Sequence, residues 1–175
     1  MEAIELVTDR LRLRTVVDAD AISTAALMCD RIAANLTTWQ PKTTVADASR
    51  RIADARLRFS MRQALDLSIF ERRSGEFLGW VSLFKDDERD DVARIGFWLG
   101  LDHQGQGLVS EAAPVAIASG ATYLGVRGLE ACVYPWNARG IRAIGKLGFE
   151  PAGSTALYSP VRERTEGTLL FGRSV

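Results

Sequence analysis

Between residues 98 and 112 the chain reads WLGLDHQGQGLVSEA, a strand-like run that passes through a glycine-containing turn into a helix-like one. Gln104, Gly105, Gln106, Gly107, Leu108 and Val109 line up successive backbone N–H groups at the start of that helix. Such a nest, aided by the positive end of the helix dipole, binds a pyrophosphate without any lysine. Glycine matters at 105 and 107 because a Cβ would hold phosphate oxygens out of reach. Two familiar phosphate loops do not fit. A P-loop needs GxxxxGK followed by Ser or Thr, and no lysine follows Gly107. A dinucleotide fingerprint needs GxGxxG after the first strand of a parallel βαβ unit, whereas GQGLVS ends in Ser110 and follows an antiparallel pattern. Taken alone, the GxG is also compatible with an ordinary strand-to-helix turn.

The elements that must position this loop are legible from periodicity. RLRLRTV (10–16) alternates Leu with Arg and predicts a strand with one buried face. Asp18 to Met28 reads as a helix. A second helix follows Pro41, opened by a capping-box-like Thr44 and Asp47, with Ala48, Ile52, Ala55 and Phe59 on one face and an end near Gln63. The period then changes to two: Leu65, Leu67 and Ile69 alternate with polar neighbours, RRSG turns the chain into EFLGWVSLF, and DDERDD (86–91) turns it again into ARIGFWL (93–99). Gly107 to about Tyr123 and Asn137 to Leu147 read as helices, Leu129 to Val133 as a short strand, and Phe149 onward and Gly167 to Phe171 as closing strands. This order predicts an α+β, mixed-sheet architecture in a single domain spanning 1–175.

Composition narrows the function classes. Twenty-two basic residues balance twenty-two acidic ones, so the broad positive face of a non-specific nucleic-acid binder is not indicated. Apolar runs are broken long before the roughly 20 residues of a membrane span. One histidine and two scattered cysteines, Cys29 and Cys132, exclude a Cys/His zinc cage, so no metal is expected. The charged N-terminus does not resemble a signal peptide, and free thiols fit a cytoplasmic protein.

The loop resembles motif A of the GNAT acetyltransferases, (Q/R)xxGx(G/A), with Gln104 first and Gly107 fourth. The resemblance continues through EACVYPWNARGIRAIGKLGFEPAG (130–153), which carries the family's strand, an asparagine at 137, a helix and KLGF. With the opening TDRLRLR it points to the branch of the ribosomal-protein N-terminal acetyltransferases and covers nearly the whole chain. The resemblance implies a central, mostly antiparallel twisted sheet, splayed where acetyl-CoA lies. It implies that the backbone of Trp98, Leu99 and Gly100 pairs with the pantetheine arm and that Gln104 to Val109 hold the pyrophosphate. It further implies that Asn137 caps its helix near the pantetheine and that Arg142 and Lys146 meet the nucleotide phosphates. Such domains often pair through exposed sheet edges, which makes a homodimer an expectation.

The chain departs from the pattern where protons move. Val109 replaces the small sixth residue of motif A and should crowd the loop without removing an N–H. Pro114, two turns into the helix, deletes an internal N–H and predicts a kink or a shortened first segment. Related enzymes place a Ser three residues after the Asn, or a Tyr seven after it, to protonate the leaving thiolate; here these positions are Gly140 and Ile144. Tyr134, Cys132, Tyr158 and Ser159 are the replacement candidates, and Glu71, Glu76 and Glu111 the candidate bases. His103 reads as a surface or capping residue. Trp80 and Trp98 read as core or cleft wall, while Trp39 and Trp136 sit at loop positions suited to an acceptor pocket, with Trp39 favoured. The acidic DDERDD turn reads as a soluble hairpin tip or as a lure for a cationic acceptor.

Without an evident strong base, the acceptor's own acidity decides the substrate class. At pH 7 deprotonation costs about 1 kcal/mol for an α-amine of pKa about 7.7–8.0, and about 4.6 kcal/mol for a lysine amine near 10.4. The expected acceptor is therefore a protein N-terminal α-amine. Two alternatives stand beside it: a small-molecule amine such as an antibiotic, polyamine or amino acid, and a non-catalytic CoA-binding regulatory protein.

Overall fold

The Leu/Arg alternation does become a strand. In the computed structural model, which describes residues 3–86, 89–159 and 162–175, β2 (Leu11–Thr15) pairs antiparallel with a short β1 (Glu5–Val7). Leu11 and Leu13 are fully buried on one face, and Arg12 and Arg14 lie on the other against the Phe70 ring. Next come α1 (Asp20–Leu27) and α2 (Asp30–Ala33), a single turn too short to leave a periodic signature. α3 (Val45–Ser60) starts with the full capping box: Thr44 Oγ1 accepts from the Asp47 amide at 3.1 Å, and the Asp47 carboxylate accepts from the Thr44 amide at 2.9 Å. Ala48, Ile52 and Ala55 are buried as the spacing predicts.

β3 (Ala64–Glu71), β4 (Phe77–Lys85) and β5 (Val92–Leu99) form the expected antiparallel meander. Asp87 and Glu88 of the acidic turn lie outside the described residues. Asp86 is not an exposed tip: it is buried and paired with Arg94 at 2.7 Å. α4 (Leu108–Leu124), β6 (Gly128–Val133), α5 (Ala138–Lys146), β7 (Glu150–Ser159) and β8 (Arg164–Ser174) complete one eight-stranded sheet of order β1-β2-β3-β4-β5-β6-β8-β7. Pro114 neither ends nor shortens α4. It lies on the exposed face with Ser110, whose carbonyl loses its helical partner where solvent can replace it.

One pairing decides the function. Among the described residues β5 and β6 are the only parallel neighbours, and they pair through just Val92–Gly128, Ala93–Leu129 and Arg94–Glu130. Beyond Arg94 the strands part, because β5 is held along its whole length by β4 while β6 follows β8. The result is a split in the sheet, with α4 and α5 packed on one face over Leu129, Ala131 and Val133. On the other face α1 and α3 cover an aromatic cluster of Trp39, Phe70, Phe77, Trp80 and Trp98. The register slip between Ile69 and Phe70 leaves Leu78 as the extra residue of a bulge in β4. Beside it Gly79, at φ 155°, presses so close to β5 that a Cβ would lie 2.1 Å from the Trp98 carbonyl oxygen. No helix among the described residues is long and apolar enough to cross a membrane.

Candidate coenzyme and acceptor site

At the end of β5 a 3-10 turn, Leu101–His103, leads into the glycine loop. Gly105 and Gly107 both take the left-handed conformation, at φ 79° and 76°. The Gln104 amide donates to Leu101 O at 3.2 Å, but the six amides from Gly105 to Ser110 have no acceptor among the described residues. The nest thus begins one residue later than the sequence suggested and runs one residue further. Six adjacent unpaired donors at a helix N-terminus are what a diphosphate requires. The space beside Gly105 is open, with nothing within 4 Å of a built Cβ. Val109 does not crowd the loop: its side chain packs against the core with Leu108.

The two glutamines are braces rather than ligand groups. Gln104 Nε2 donates to Leu99 O at 3.0 Å while its Oε1 accepts from Arg139 Nη1 at 3.0 Å, tying the loop to β5 and α5. Gln106 Nε2 donates to Asp102 O at 2.8 Å. A residue missed by the sequence reading lies beside them. Arg10, from the TDRLRLR segment, donates from Nη1 to Gln106 O at 3.1 Å and from Nε to the Glu111 carboxylate at 2.6 Å. No local signal could reveal this, because the contact spans nearly 100 residues of chain. Arg142 and Lys146 are exposed on α5, with no ion pair to any described residue.

The split offers less backbone than the resemblance implied. Gly100 is spent: its N–H donates to Leu78 O at 2.9 Å and its carbonyl accepts from His103 at 3.0 Å. By strand alternation Trp98 likewise turns its peptide groups toward β4, in register with Trp80. Leu99 O is taken by Gln104. The groups that face the split are therefore the Leu99 amide and, two residues earlier, the peptide groups of Phe97. Across the split, Asn137 Oδ1 accepts from the Gly140 amide at 2.9 Å and caps α5. The Asn137 side chain folds so closely over Gly140 that a Cβ there would lie 2.5 Å from Nδ2, which fills the space a serine would use. Ile144 is buried in the core.

Of the candidate acids and bases, Tyr134, Ser159, Glu71 and Glu111 are committed to hydrogen bonds. The Tyr134 hydroxyl, at the end of β6, is buried and donates to Glu166 Oε2 at 2.5 Å. Burial and the neighbouring carboxylate push this phenol up to about 12. Glu166 is held down to about 2, by the Tyr134 hydrogen bond first and then by Arg162 at 2.6 Å. Burial raises the Cys132 thiol, Tyr158 is exposed on the edge strand β7, and Ser159 Oγ donates to Thr37 O at 2.9 Å. Glu111 accepts from Thr8 Oγ1 at 2.5 Å and from the Arg10 amide at 2.8 Å, and remains ionised below the usual carboxylate range despite partial burial. Glu71 caps the β3–β4 turn through the Arg73 amide, and Glu76 faces His103 at 3.6 Å.

These contacts make Tyr134 a tether for β8, with its proton committed to a carboxylate. Tyr134→Phe is expected to keep kcat within about threefold while lowering stability by about 1–2 kcal/mol, the ordinary loss for a buried hydrogen bond. Steady-state kinetics and urea denaturation of the variant check both; a hundredfold drop in kcat would make the phenol the acid after all.

On the acceptor side the two tryptophans exchange places. Trp39 is core, edge-on to Trp80 at 5.3 Å and to Trp98 at 5.4 Å, with Arg51 stacked 4.2 Å from its ring. Only part of it reaches a depression of about 220 Å³ shared with Thr38, Gln40, Thr43 and Arg50. Trp136 is the exposed ring, 59% accessible and stacked 4.4 Å from Tyr134. Arg162 crosses from the β7–β8 connection to the end of α2, donating to Ala34 O at 2.9 Å, with its guanidinium 4.9 Å from the Tyr134 ring.

Comparison with known proteins agrees with this geometry. Residues 10–150 match the family model for the acetyltransferase (GNAT) domain. An uncharacterized N-acetyltransferase, p20, of Bacillus licheniformis is 29% identical over 166 residues, covering 95% of this chain and 93% of its own. The Salmonella typhimurium acetyltransferase that modifies the N-terminal serine of ribosomal protein L7/L12 superposes with a TM-score of 0.83 at 18% identity, covering 99% of each chain. RimL, a ribosomal L7/L12 α-N-protein acetyltransferase solved with coenzyme A, gives a TM-score of 0.83 at 19% identity, over 99% of this chain and 98% of that one. A split sheet feeding an empty-handed row of amides, matched across four-fifths of the sequence by one family's pattern, makes this chain a GNAT N-acetyltransferase.

Proposed function

We propose that the enzyme is acetyl-CoA dependent and acetylates α-amines, with a protein N-terminus as the acceptor. The observation that carries the acceptor class is the state of the carboxylates: Glu111, Glu166 and Glu71 are all saturated by donors and held below the usual carboxylate range. None is a base able to strip a lysine ammonium. Glu76, the remaining candidate base, faces His103 at 3.6 Å, and the site favours an acceptor that arrives neutral, which an α-amine does roughly one time in ten at pH 7 and a lysine about once in several thousand. The ribosomal-protein acetyltransferases among the structural neighbours support the same class.

In this reading the amides from Gly105 to Ser110 hold the diphosphate, and the Leu99 and Phe97 peptide groups align the pantetheine arm along the open edge of β5. Acetyl-CoA supplies the activated thioester. The protein contributes orientation, donors fixed by the fold, and exclusion of water by the Arg162 crossing and the stacked Trp136 and Tyr134 rings.

The test is a panel of matched peptides, one with a free N-terminus and one N-blocked with an internal lysine, assayed by thiol release. The free N-terminus is expected to turn over at least about a hundredfold faster at pH 7, and kcat/KM should rise with pH at unit slope until the acceptor's own pKa. Exchanging the acceptor for one of different pKa should move that inflection with it. Faster turnover of the lysine peptide, or an inflection fixed whatever the acceptor, would overturn the proposal. Efficient turnover of small amines alone would place the acceptor among metabolites instead.

A further inference from the structure

We infer that Arg10 is a diphosphate-binding residue of the coenzyme site, built into the loop from the opposite end of the chain. This rests on the acetyl-CoA reading above. Arg10 stands just before β2, and three of its four nitrogens are committed. Its backbone N–H donates to Glu111 Oε1 at 2.8 Å, Nε to Glu111 Oε2 at 2.6 Å, and Nη1 to Gln106 O at 3.1 Å. Nη2 has no partner among the described residues, and it lies 3.8 Å from where a Cβ of Gly107 would stand. The one uncommitted nitrogen therefore sits beside Gly107, within the run of six residues whose amides are unpaired.

Glu111 explains why the side chain is held there. A carboxylate in the first turn of α4 favours the helix but would repel a diphosphate bound at the same N-terminus. Thr8 Oγ1 and Arg10 together fill its lone pairs, and the Arg10 charge neutralises it. Glu111 in turn removes the rotamer freedom of a side chain that is half exposed, so that the guanidinium is ordered before any ligand arrives. A planar guanidinium suits this double duty, since one edge can bind a carboxylate while the other meets a phosphate. A lysine has a single nitrogen and must choose. Gly107 serves both partners: it takes the left-handed turn and leaves room between the helix and Nη2.

The experiment measures binding of CoA and of pantetheine, which lacks the diphosphate, to the wild type, Arg10→Gln and Arg10→Lys by calorimetry, with thermal unfolding as a check of folding. Arg10→Gln is expected to weaken CoA about tenfold or more and leave pantetheine unchanged, with Arg10→Lys in between. The dependence of CoA affinity on salt should also become shallower in Arg10→Gln, because a cation facing the anion has gone. Equal losses for both ligands, no loss, or a CoA-specific loss with the salt dependence intact would each overturn the inference, the last by reducing Arg10 to a brace for Gln106. A wild type that binds no CoA would instead sink the coenzyme reading itself.

Discussion

Gly107→Asp is expected to abolish coenzyme binding while leaving the fold standing. The residue caps α4 in the left-handed conformation at φ 76° without a side-chain hydrogen bond. Aspartate is among the residues that enter this region most readily, at a cost of about 1 kcal/mol. The added carboxylate also meets the Arg10 guanidinium, whose Nη2 lies 3.8 Å from the new Cβ, an ion pair worth up to about 1 kcal/mol. The two effects offset, so the melting temperature should move by only a few degrees. The new carboxylate, however, would stand beside Arg10 Nη2, 3.8 Å from the added Cβ, at the mouth of the amides of Leu108 to Ser110, which have no other acceptor. It repels the diphosphate that those amides would hold and takes up the Arg10 charge besides. A loss of about a hundredfold or more in CoA affinity follows from surrendering charge-assisted hydrogen bonds of about 1.5–3 kcal/mol each. Calorimetric titration alongside thermal unfolding reads both quantities; CoA affinity within threefold of wild type would mean that the diphosphate sits elsewhere.

Gly79→Ala is expected to cost about 3–5 kcal/mol of stability, combining overpacking with backbone strain. A methyl at this position would lie 2.1 Å from the Trp98 carbonyl oxygen and 2.9 Å from the Leu99 Cα, both backbone atoms that cannot rotate aside. The φ of 155° adds strain for any L side chain. Relief requires β5 to move away from β4, and β5 is the strand whose free edge lines the split. The variant should therefore lose CoA affinity even in the fraction that folds. Gly96→Ala is the matched comparison: on the facing strand β5, with nothing within 4 Å and an ordinary backbone, it should shift stability by no more than about 0.5 kcal/mol. Urea midpoints for the pair decide the matter. If both variants unfold at the wild-type midpoint, the close approach of β4 to β5 carries no energetic weight.

The sequence by itself determined the elements and the backbone turns of the loop, because both are written in neighbouring residues. The period-two runs placed β2 to β5, Thr44 and Asp47 fixed the start of α3, and Gly105 and Gly107 marked the left-handed turns ahead of α4. KLGF and Asn137 located α5 and its cap. Tertiary structure decided everything that depends on residues far apart in the chain. Which peptide groups of β5 stay free follows from which neighbour each one meets, so Gly100 and Trp98 dropped out and Phe97 entered. Trp39 was drawn into the core by Trp80 and Trp98, leaving Trp136 exposed. Tyr134 met Glu166 across two strands and lost its promise as an acid. Arg10 reached Gln106 and Glu111 from the other end of the chain. Local conformation follows from steric and capping preferences that act within a turn or two, whereas the fate of a donor, a ring or a charge is settled by whatever the fold packs against it.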